Sequence, residues 1–304
     1  MDSGFLMKKY GIVLAGGGAK GAYEMGAIKA LSEIGILDNA AGVAGTSIGA
    51  VNLVLLASRD MDNAEKVWKN INVDDFIDID DDNFDTLREH AGVLSREGLR
   101  RLLKENGSFT NVKNSDIPQY ITVSLINTDD TYSVRYIKLN GKDESIIEDY
   151  IIASSAIPVV YEAVGVEGAF YQDGGLCDNT PIKPLYDEGI RDIVVISNDP
   201  EYIIPATEFP EANIMLVSPS APIYIDSILA TGDLNKYNAV YRFELGYYDA
   251  KLSLPYLLKG EKVPDLSGNK TLAQQSYYQT RLASNVADNM SSLENMLGKY
   301  GIDL

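Results

Sequence analysis

Ser47 stands between two glycines in the sequence GTSIG at residues 45–49, directly after a short apolar run. A strand that ends in Gly-x-Ser-x-Gly and turns straight into a helix displays a nucleophilic hydroxyl in some hydrolases. The residues that follow, AVNLVLLASRD, supply that helix. The competing interpretation is a turn of small residues whose hydroxyl caps the helix. The pentapeptide alone leaves both interpretations open.

A glycine-rich turn, GGGAKG at residues 16–21, lies between the first predicted strand and the first predicted helix. Its spacing matches the dinucleotide-binding pattern Gly-x-Gly-x-x-Gly. That pattern requires an acidic residue at the end of the second strand, but this strand ends in GTS, and Asp38 precedes it. The phosphate-binding P-loop does not fit either, because Lys20 is followed by Gly-Ala. A nucleotide- or lipid-binding protein that uses the turn without hydrolysis remains the alternative function.

Consecutive glycines have a second use, because they offer bare backbone N–H groups at a helix N-terminus. There the N–H groups and the helix dipole stabilise negative charge. Gly16, Gly17 and Gly18 are therefore candidates for an oxyanion hole. Since the glycine turn and Ser47 both follow parallel strands, we expect them at the same crevice, at the carboxyl ends of those strands.

A serine nucleophile needs a base, and histidine is the usual one. The single histidine, His90, lies in the polar stretch DTLREHAGVLS, which favours an exposed side chain outside the site. We therefore expect a carboxylate. Asp173 is the candidate, because an apolar run leads into the sequence DGG at residues 173–175. The other interpretation is an ordinary Asp-Gly turn, whereas partial burial in a dry site would raise the pKa of Asp173 and strengthen it as a base.

Hydrophobic periodicity predicts the elements that position these residues. Short apolar runs predict strands at 10–15, 42–45, 120–126, 133–139, 193–197 and 214–217. Helical spacing predicts helices at 22–36, 50–58, 64–71, 96–105, 145–154, 182–188, 234–251 and 271–299. The N-terminal order strand, helix, strand, helix indicates an α/β protein with parallel strands, because such crossovers are right-handed and return to the same sheet.

The composition restricts the class of protein. The 304 residues, 45% of them hydrophobic, allow a large core in one domain with appendages. With 26 basic and 44 acidic residues, the net charge of −18 repels nucleic-acid backbones and anionic membrane surfaces. One cysteine, Cys177, and one histidine exclude a disulfide framework, a Cys-rich zinc site and histidine-based metal chemistry.

The acidic tract at residues 74–85 and the lack of a long apolar run bear on calcium binding and on localisation. The acidic tract DDFIDIDDDNFD at residues 74–85 lacks the central glycine and the closing glutamate of an EF-hand, which favours a solvated connector over a calcium site. No run of 18 apolar residues and no secretory signal is present. We therefore expect a cytoplasmic protein.

The motifs GGGAKG, GTSIG and DGG, in this order, resemble those of the patatin-like phospholipases, which are serine acyl hydrolases. The small-residue block ASSAIP at residues 153–158 is also similar to the segment that precedes the aspartate motif in that family. The resemblance covers roughly residues 8–200, and the three spaced motifs together are far more specific than any one of them.

The resemblance implies a three-layer α/β/α fold with a mainly parallel central sheet. It implies that Ser47 is the nucleophile and Asp173 its general base. The glycines at residues 16–18 would form the oxyanion hole. Lys20 stands where the family carries a basic residue, so it would support the hole or bind a phosphate of the substrate.

We expect a catalytic core at residues 8–200 and a mostly helical C-terminal extension at 201–304 that packs on the same domain. The expected activity is that of a phospholipase A or lysophospholipase-type esterase, without a metal or any other cofactor. The expected partners are a lipid or lysolipid substrate and, transiently, a membrane surface, but not nucleic acid. The oligomeric state stays open.

Overall fold

An eight-stranded mixed sheet forms the centre of the computed structural model, which describes residues 8–71, 96–223 and 235–298. The strands are β1 (Tyr10–Leu14), β2 (Ala40–Thr46), β3 (Gln119–Ile126), β4 (Tyr132–Lys138), β5 (Val164–Val166), β6 (Ala169–Asp173), β7 (Asp192–Ile196) and β8 (Asn213–Val217). The helices are α1 (Gly21–Ile34), α2 (Ile48–Ala57), α3 (Met61–Lys69), α4 (Glu97–Asn106), α5 (Phe109–Lys113), α6 (Glu144–Ser154), α7 (Lys183–Asp187), α8 (Lys236–Leu257) and α9 (Asn269–Gly298).

Five neighbouring strands, in the order β8, β7, β1, β2, β3, run parallel. The remaining strands β4, β5 and β6 are joined to them through antiparallel pairs. In β1, Ile12 and Leu14 pack into one large core cluster, whereas Val13 packs into a second cluster with Leu185 of α7. Both faces of the sheet are therefore covered by helices. The fold is three-layered α/β/α with a mostly parallel sheet, as the sequence predicts.

β3 organises the part of the sheet that matters for the site. β4 pairs with β3 along nearly its whole length, so β2 and β6 share the opposite edge of β3. The parallel strand β2 ends with Thr46 opposite Thr122, and the antiparallel strand β6 ends with Asp173 opposite Val123. The carboxyl ends of β2 and β6 therefore meet at adjacent positions of β3.

Helix α8 crosses α1 with almost no space between the two backbones. A Cβ at Gly26 would lie 1.9 Å from the carbonyl oxygen of Phe243, and a Cβ at Gly246 would lie 1.9 Å from that of Tyr23. Glycine at both positions is what permits this approach. Because α8 packs on α1 and β8 extends the sheet beyond β7, residues on both sides of position 200 share one sheet and one core.

All six predicted strands and all eight predicted helices are confirmed, with bounds that differ by a few residues. The largest difference is at α8, which continues to Leu257 and includes Pro255 in its last turn. The sequence prediction misses β5, β6 and α5, each of which has five residues or fewer. Runs that short carry too little periodicity to be recognised. His90 and the acidic tract at 74–85 lie outside the described residues.

Candidate active site

Ser47 joins the end of β2 to the start of α2 in a turn with a strained backbone. Its φ of 54° and ψ of −119° lie outside the regions favoured by residues that carry a Cβ. The flanking glycines permit the turn: a Cβ at Gly45 would lie 2.5 Å from the carbonyl oxygen of Gly49, and one at Gly49 would lie 2.2 Å from that of Leu14. Strain of this kind is concentrated at functional sites. The sharp turn predicted from GTSIG is confirmed.

The hydroxyl of Ser47 contacts the carboxylate of Asp173. Ser47 Oγ donates a hydrogen bond of 2.7 Å to Asp173 Oδ2, and each residue is only 6% exposed. The other carboxylate oxygen, Oδ1, accepts a 2.7 Å bond from the N–H of Gly175. The pair is brought together by the shared edge of β3, because Ser47 follows the last residue of β2 and Asp173 is the last residue of β6.

The protonation of Asp173 is governed mainly by its burial. Loss of water raises the pKa of Asp173 to about 6, while the hydrogen bonds from Ser47 and Gly175 and the charge of Arg96 act in the opposite direction. A carboxylate with such a pKa is a stronger base than a solvated one and is still mostly ionised at neutral pH. Asp173 therefore combines the geometry and the basicity that removal of a serine proton requires.

Two buried hydroxyl groups, those of Ser154 and Ser124, hold the backbone of the Ser47–Asp173 pair, and the sequence analysis assigned a role to neither. The Oγ of Ser154 accepts a 2.9 Å bond from the N–H of Ser47 and donates a 2.7 Å bond to the carbonyl oxygen of Thr122. Ser124 Oγ donates a 2.8 Å bond to the carbonyl oxygen of Asp173. For Ser124, the available signal was a hydroxyl residue in the largely apolar strand β3. These bonds fix the backbone of both halves of the pair.

The three glycines predicted as an oxyanion hole differ in what their N–H groups do. The N–H of Gly16 donates to the carbonyl oxygen of Asn179 at 3.0 Å, so it is already used. Within the described part of the chain, no acceptor contacts the N–H groups of Gly17 and Gly18, which line the same cleft as Ser47. Gly16 has a spatial role instead, since a Cβ there would lie 2.2 Å from Asn179 Oδ1.

Lys20 also lines this cleft, which has a volume of about 280 Å³. Its ammonium group makes no ion pair or hydrogen bond with any residue in the described ranges. Burial lowers the pKa of Lys20, and the negative charge of Asp199 opposes that shift. A half-buried ammonium without a partner is available to an anionic group of a ligand. The structure thus brings together all six site residues predicted from the sequence.

Arg96 is a buried cation beside the site that the sequence analysis did not identify. Its guanidinium lies over the ring of Tyr161, 4.1 Å from the ring centre, and donates to the carbonyl oxygen of Ile152. One terminal nitrogen, Nη2, is buried, and no described residue accepts a hydrogen bond from it. The charges of Arg96 and Asp173 influence each other, which lowers the pKa of Asp173. Arg96 directly precedes α4 and belongs to no sequence motif by which its role could be recognised.

Among residues 8–71, 96–223 and 235–298, no group of three or more His, Cys, Asp or Glu side chains could hold a metal ion. No helix within the same ranges is long and apolar enough to cross a membrane.

Similar proteins are found in several organisms. The chain is 28% identical over 194 residues to the lysophospholipase NTE1 of Cryptococcus neoformans var. neoformans serotype D, which is 62% of this chain and 11% of that protein. It is 27% identical over 190 residues to the neuropathy target esterase sws of Drosophila melanogaster, 61% of this chain and 12% of that protein. The chain therefore spans about a tenth of the length of these curated relatives.

The crystal structure of VipD from Legionella pneumophila matches the fold with a TM-score of 0.50 and 14% identity, covering 96% of this chain and 79% of VipD. The model of the family described as patatin-like phospholipase matches residues 12–186, which is more than half of the chain. That range includes the glycine turn, Ser47 and Asp173. The chain therefore belongs to the patatin-like phospholipase family.

Proposed function

We propose that this protein hydrolyses acyl esters of lipids, with Ser47 as the nucleophile and Asp173 as the general base. The observation that carries the proposal is the 2.7 Å hydrogen bond from Ser47 Oγ to Asp173 Oδ2. The cleft is also lined by Gly17 and Gly18, whose N–H groups contact no acceptor among the described residues. Membership of the family supports a phospholipid or lysophospholipid substrate. The names of the curated relatives, a lysophospholipase and an esterase, agree with that class.

The first half-reaction moves the acyl group to the enzyme. Asp173 Oδ2 takes the proton of Ser47 Oγ as that oxygen attacks the carbonyl carbon of the ester. The carbonyl oxygen becomes negatively charged and accepts hydrogen bonds from the N–H groups of Gly17 and Gly18. Protonated Asp173 then gives its proton to the leaving alcohol, and the acyl group stays on Ser47.

The second half-reaction repeats these steps with water. Asp173 takes a proton from a water molecule, which attacks the acyl carbonyl, and then returns that proton to Ser47 as the fatty acid leaves. No other proton carrier is needed. Lys20, whose ammonium pairs with no described residue, would bind a phosphate group or the developing negative charge of the substrate. Gly16 would contribute space for Asn179 and not an oxyanion donor.

Mass mapping after incubation with a fluorophosphonate probe tests the assignment of the nucleophile. We expect the probe to label Ser47, because this hydroxyl has a base and backbone donors beside it. Ser47→Ala should abolish labelling. The matched control is Ser155→Ala, which should label normally. Ser155 is half-buried, and its Oγ donates to the carbonyl oxygens of Ile151 and Ile152.

Hydrolysis of a short-chain nitrophenyl ester tests the assignment of the base. Asp173→Asn keeps the shape of the side chain but cannot accept the serine proton, so turnover should be lost in a folded protein. Full activity of that variant would reject Asp173 as the base. A parent protein that binds lipid but neither reacts with the probe nor turns over the ester would instead be a lipid-binding module.

A further inference from the structure

The cleft at Ser47 is small for a lipid. Its volume of about 280 Å³ lies at the lower end of ligand pockets, which typically enclose about 300–1,000 Å³. It can receive the ester and nearby atoms, but much of a long acyl chain has to stay outside. If the proposed function is correct, the surface around the opening therefore has to be compatible with the lipid phase from which the substrate comes.

The opening is bordered by apolar residues from two segments. Ile157, Pro158 and Leu176 line the cleft, and Leu176 is also 47% exposed. The next residue in the first segment, Val159, is 76% exposed. These four residues, Ile157, Pro158, Val159 and Leu176, are called the apolar rim below.

The conformation at Val159 is unfavourable for a valine. The N–H of Tyr161 donates to the carbonyl oxygen of Ile157 at 2.9 Å, which closes a turn with Val159 near its tip. The φ of Val159 is 71°, in the left-handed region where β-branched residues are rare. Its side chain faces water, so burial in this chain does not compensate for the strain. Contact between this side chain and an apolar phase outside the chain would compensate for the strain.

The rim is uncharged in a strongly acidic protein. The chain has a net charge of −18, yet residues 150–161 and 174–177 contain no Asp, Glu, Lys or Arg. An anionic membrane would repel the protein as a whole. A surface of zwitterionic lipid carries no such field, and the uncharged rim loses no ionic hydration when it approaches that surface.

We propose that the apolar rim docks this protein on a zwitterionic lipid surface, with Val159 inserted and the opening of the cleft facing the lipid. This proposal rests on the proposed function, since it assigns how the same site meets its substrate. In this arrangement the acyl chain passes from the lipid phase to Ser47 along Ile157, Pro158 and Leu176 without crossing water.

Flotation with phosphatidylcholine vesicles tests the docking directly. Val159→Asp should lower the partition coefficient about tenfold or more, because it removes an apolar side chain from lipid and adds a charge. The matched control is Leu282→Asp on α9, which changes another strongly exposed apolar residue, 65% exposed, that does not line the cleft. It should float like the parent. Equal losses in the two variants, or no loss in either, would overturn the proposal.

Vesicles that contain phosphatidylglycerol give a second arm. Binding should be weaker than to pure phosphatidylcholine and should recover with added salt. Stronger binding to the anionic vesicles would overturn the zwitterionic assignment.

Cys177, the single cysteine, is exposed and next to Leu176. An environment-sensitive fluorophore on Cys177 should shift to the blue on phosphatidylcholine vesicles in the parent and not in Val159→Asp.

The ratio of turnover on vesicles to turnover on a soluble nitrophenyl ester separates this proposal from the proposed function. In Val159→Asp the ratio should fall about tenfold, as the partition coefficient does. An unchanged ratio, with turnover of the soluble ester, would reject the rim and keep the hydrolase. A protein that turns over neither ester would reject the hydrolase, and the flotation difference would still decide whether the rim docks.

Discussion

At the scale of single residues, the proposed chemistry depends on how Asp173 balances burial against its hydrogen bonds. Burial raises the pKa of Asp173 to about 6 from 3.8, so the ionised form that the proposed mechanism requires is lost as the pH falls through about 6. The same shift has a thermodynamic consequence. A carboxyl group whose pKa is raised by folding destabilises the folded state progressively as the pH rises from the unfolded value through the folded one.

Asp173→Asn should therefore be more stable than the parent at pH 8 but not at pH 4. A shift of roughly two pKa units corresponds to about 3 kcal/mol, and loss of one hydrogen bond to the side chain offsets about 1 kcal/mol of it. We expect the free energy of unfolding of Asp173→Asn to exceed that of the parent by about 2 kcal/mol at pH 8, measured by urea unfolding. A difference that is the same at both pH values would show that ionisation of Asp173 is not its origin.

Arg96 provides a second prediction at this scale. Its positive charge lowers the pKa of Asp173, so Arg96→Met should move the acidic limb of the activity profile to higher pH. The measurement is the rate of soluble-ester hydrolysis between pH 4.5 and about 8, the window around the pKa of Asp173. Arg96→Lys keeps the charge and should keep the limb close to that of the parent.

Arg100 offers a control on the same helix. It pairs with Glu148 and Asp149, and Arg100→Met should leave the position of the limb unchanged. If both methionine variants moved the acidic limb of the activity profile equally, the effect would come from the change in net charge and not from the closeness of Arg96 to Asp173.

At the scale of elements, the strands and helices with strong periodicity were predictable, and the contacts between them were not. Ser47 could be placed in a strand-to-helix turn because GTSIG lies between an apolar run and a helical pattern. Asp173 could be proposed, but its strand β6 could not be recognised in the five residues AFYQD. The meeting of β2 and β6 on one edge of β3 depends on long-range register, which local sequence does not encode.

The crossing of α1 and α8 gives a prediction at this scale. Alanine is favoured over glycine in a helix by about 1 kcal/mol, but a Cβ at Gly246 would lie 1.9 Å from the carbonyl oxygen of Tyr23. Overpacking typically costs about 1–3 kcal/mol. Here the added methyl group would collide with a backbone carbonyl and not with a side chain that could move away. Gly246→Ala should therefore lower the free energy of unfolding by about 2 kcal/mol, measured by urea unfolding. Gly268→Ala is the control, since no atom lies within 4 Å of its Cβ position, and it should change stability by less than about 0.5 kcal/mol.

At the scale of the whole molecule, the C-terminal third is tied to the core by buried polar contacts as well as by packing. The carboxylate of Asp249 in α8 accepts hydrogen bonds from Tyr23 Oη of α1 and from Ser220, which follows β8. It also accepts one from Asn269 at the start of α9. Four parts of the chain thus meet at one buried carboxylate. This supports the proposal that residues 201–304 pack on the same domain as the catalytic core.

The edge of β3 shared by β2 and β6 also has a consequence for the order of assembly. The β3–β4 hairpin closes a loop of a few residues and can form early, whereas β2 and β6 must reach the same edge from distant parts of the chain. Until both have arrived in register, Ser47 and Asp173 are not neighbours, and a slip of two residues would separate them by about 7 Å. If Ser47 and Asp173 act as proposed, a partly folded chain has the serine without its base, and newly made protein should stay inert towards ester substrates until both strands have paired with β3 in register.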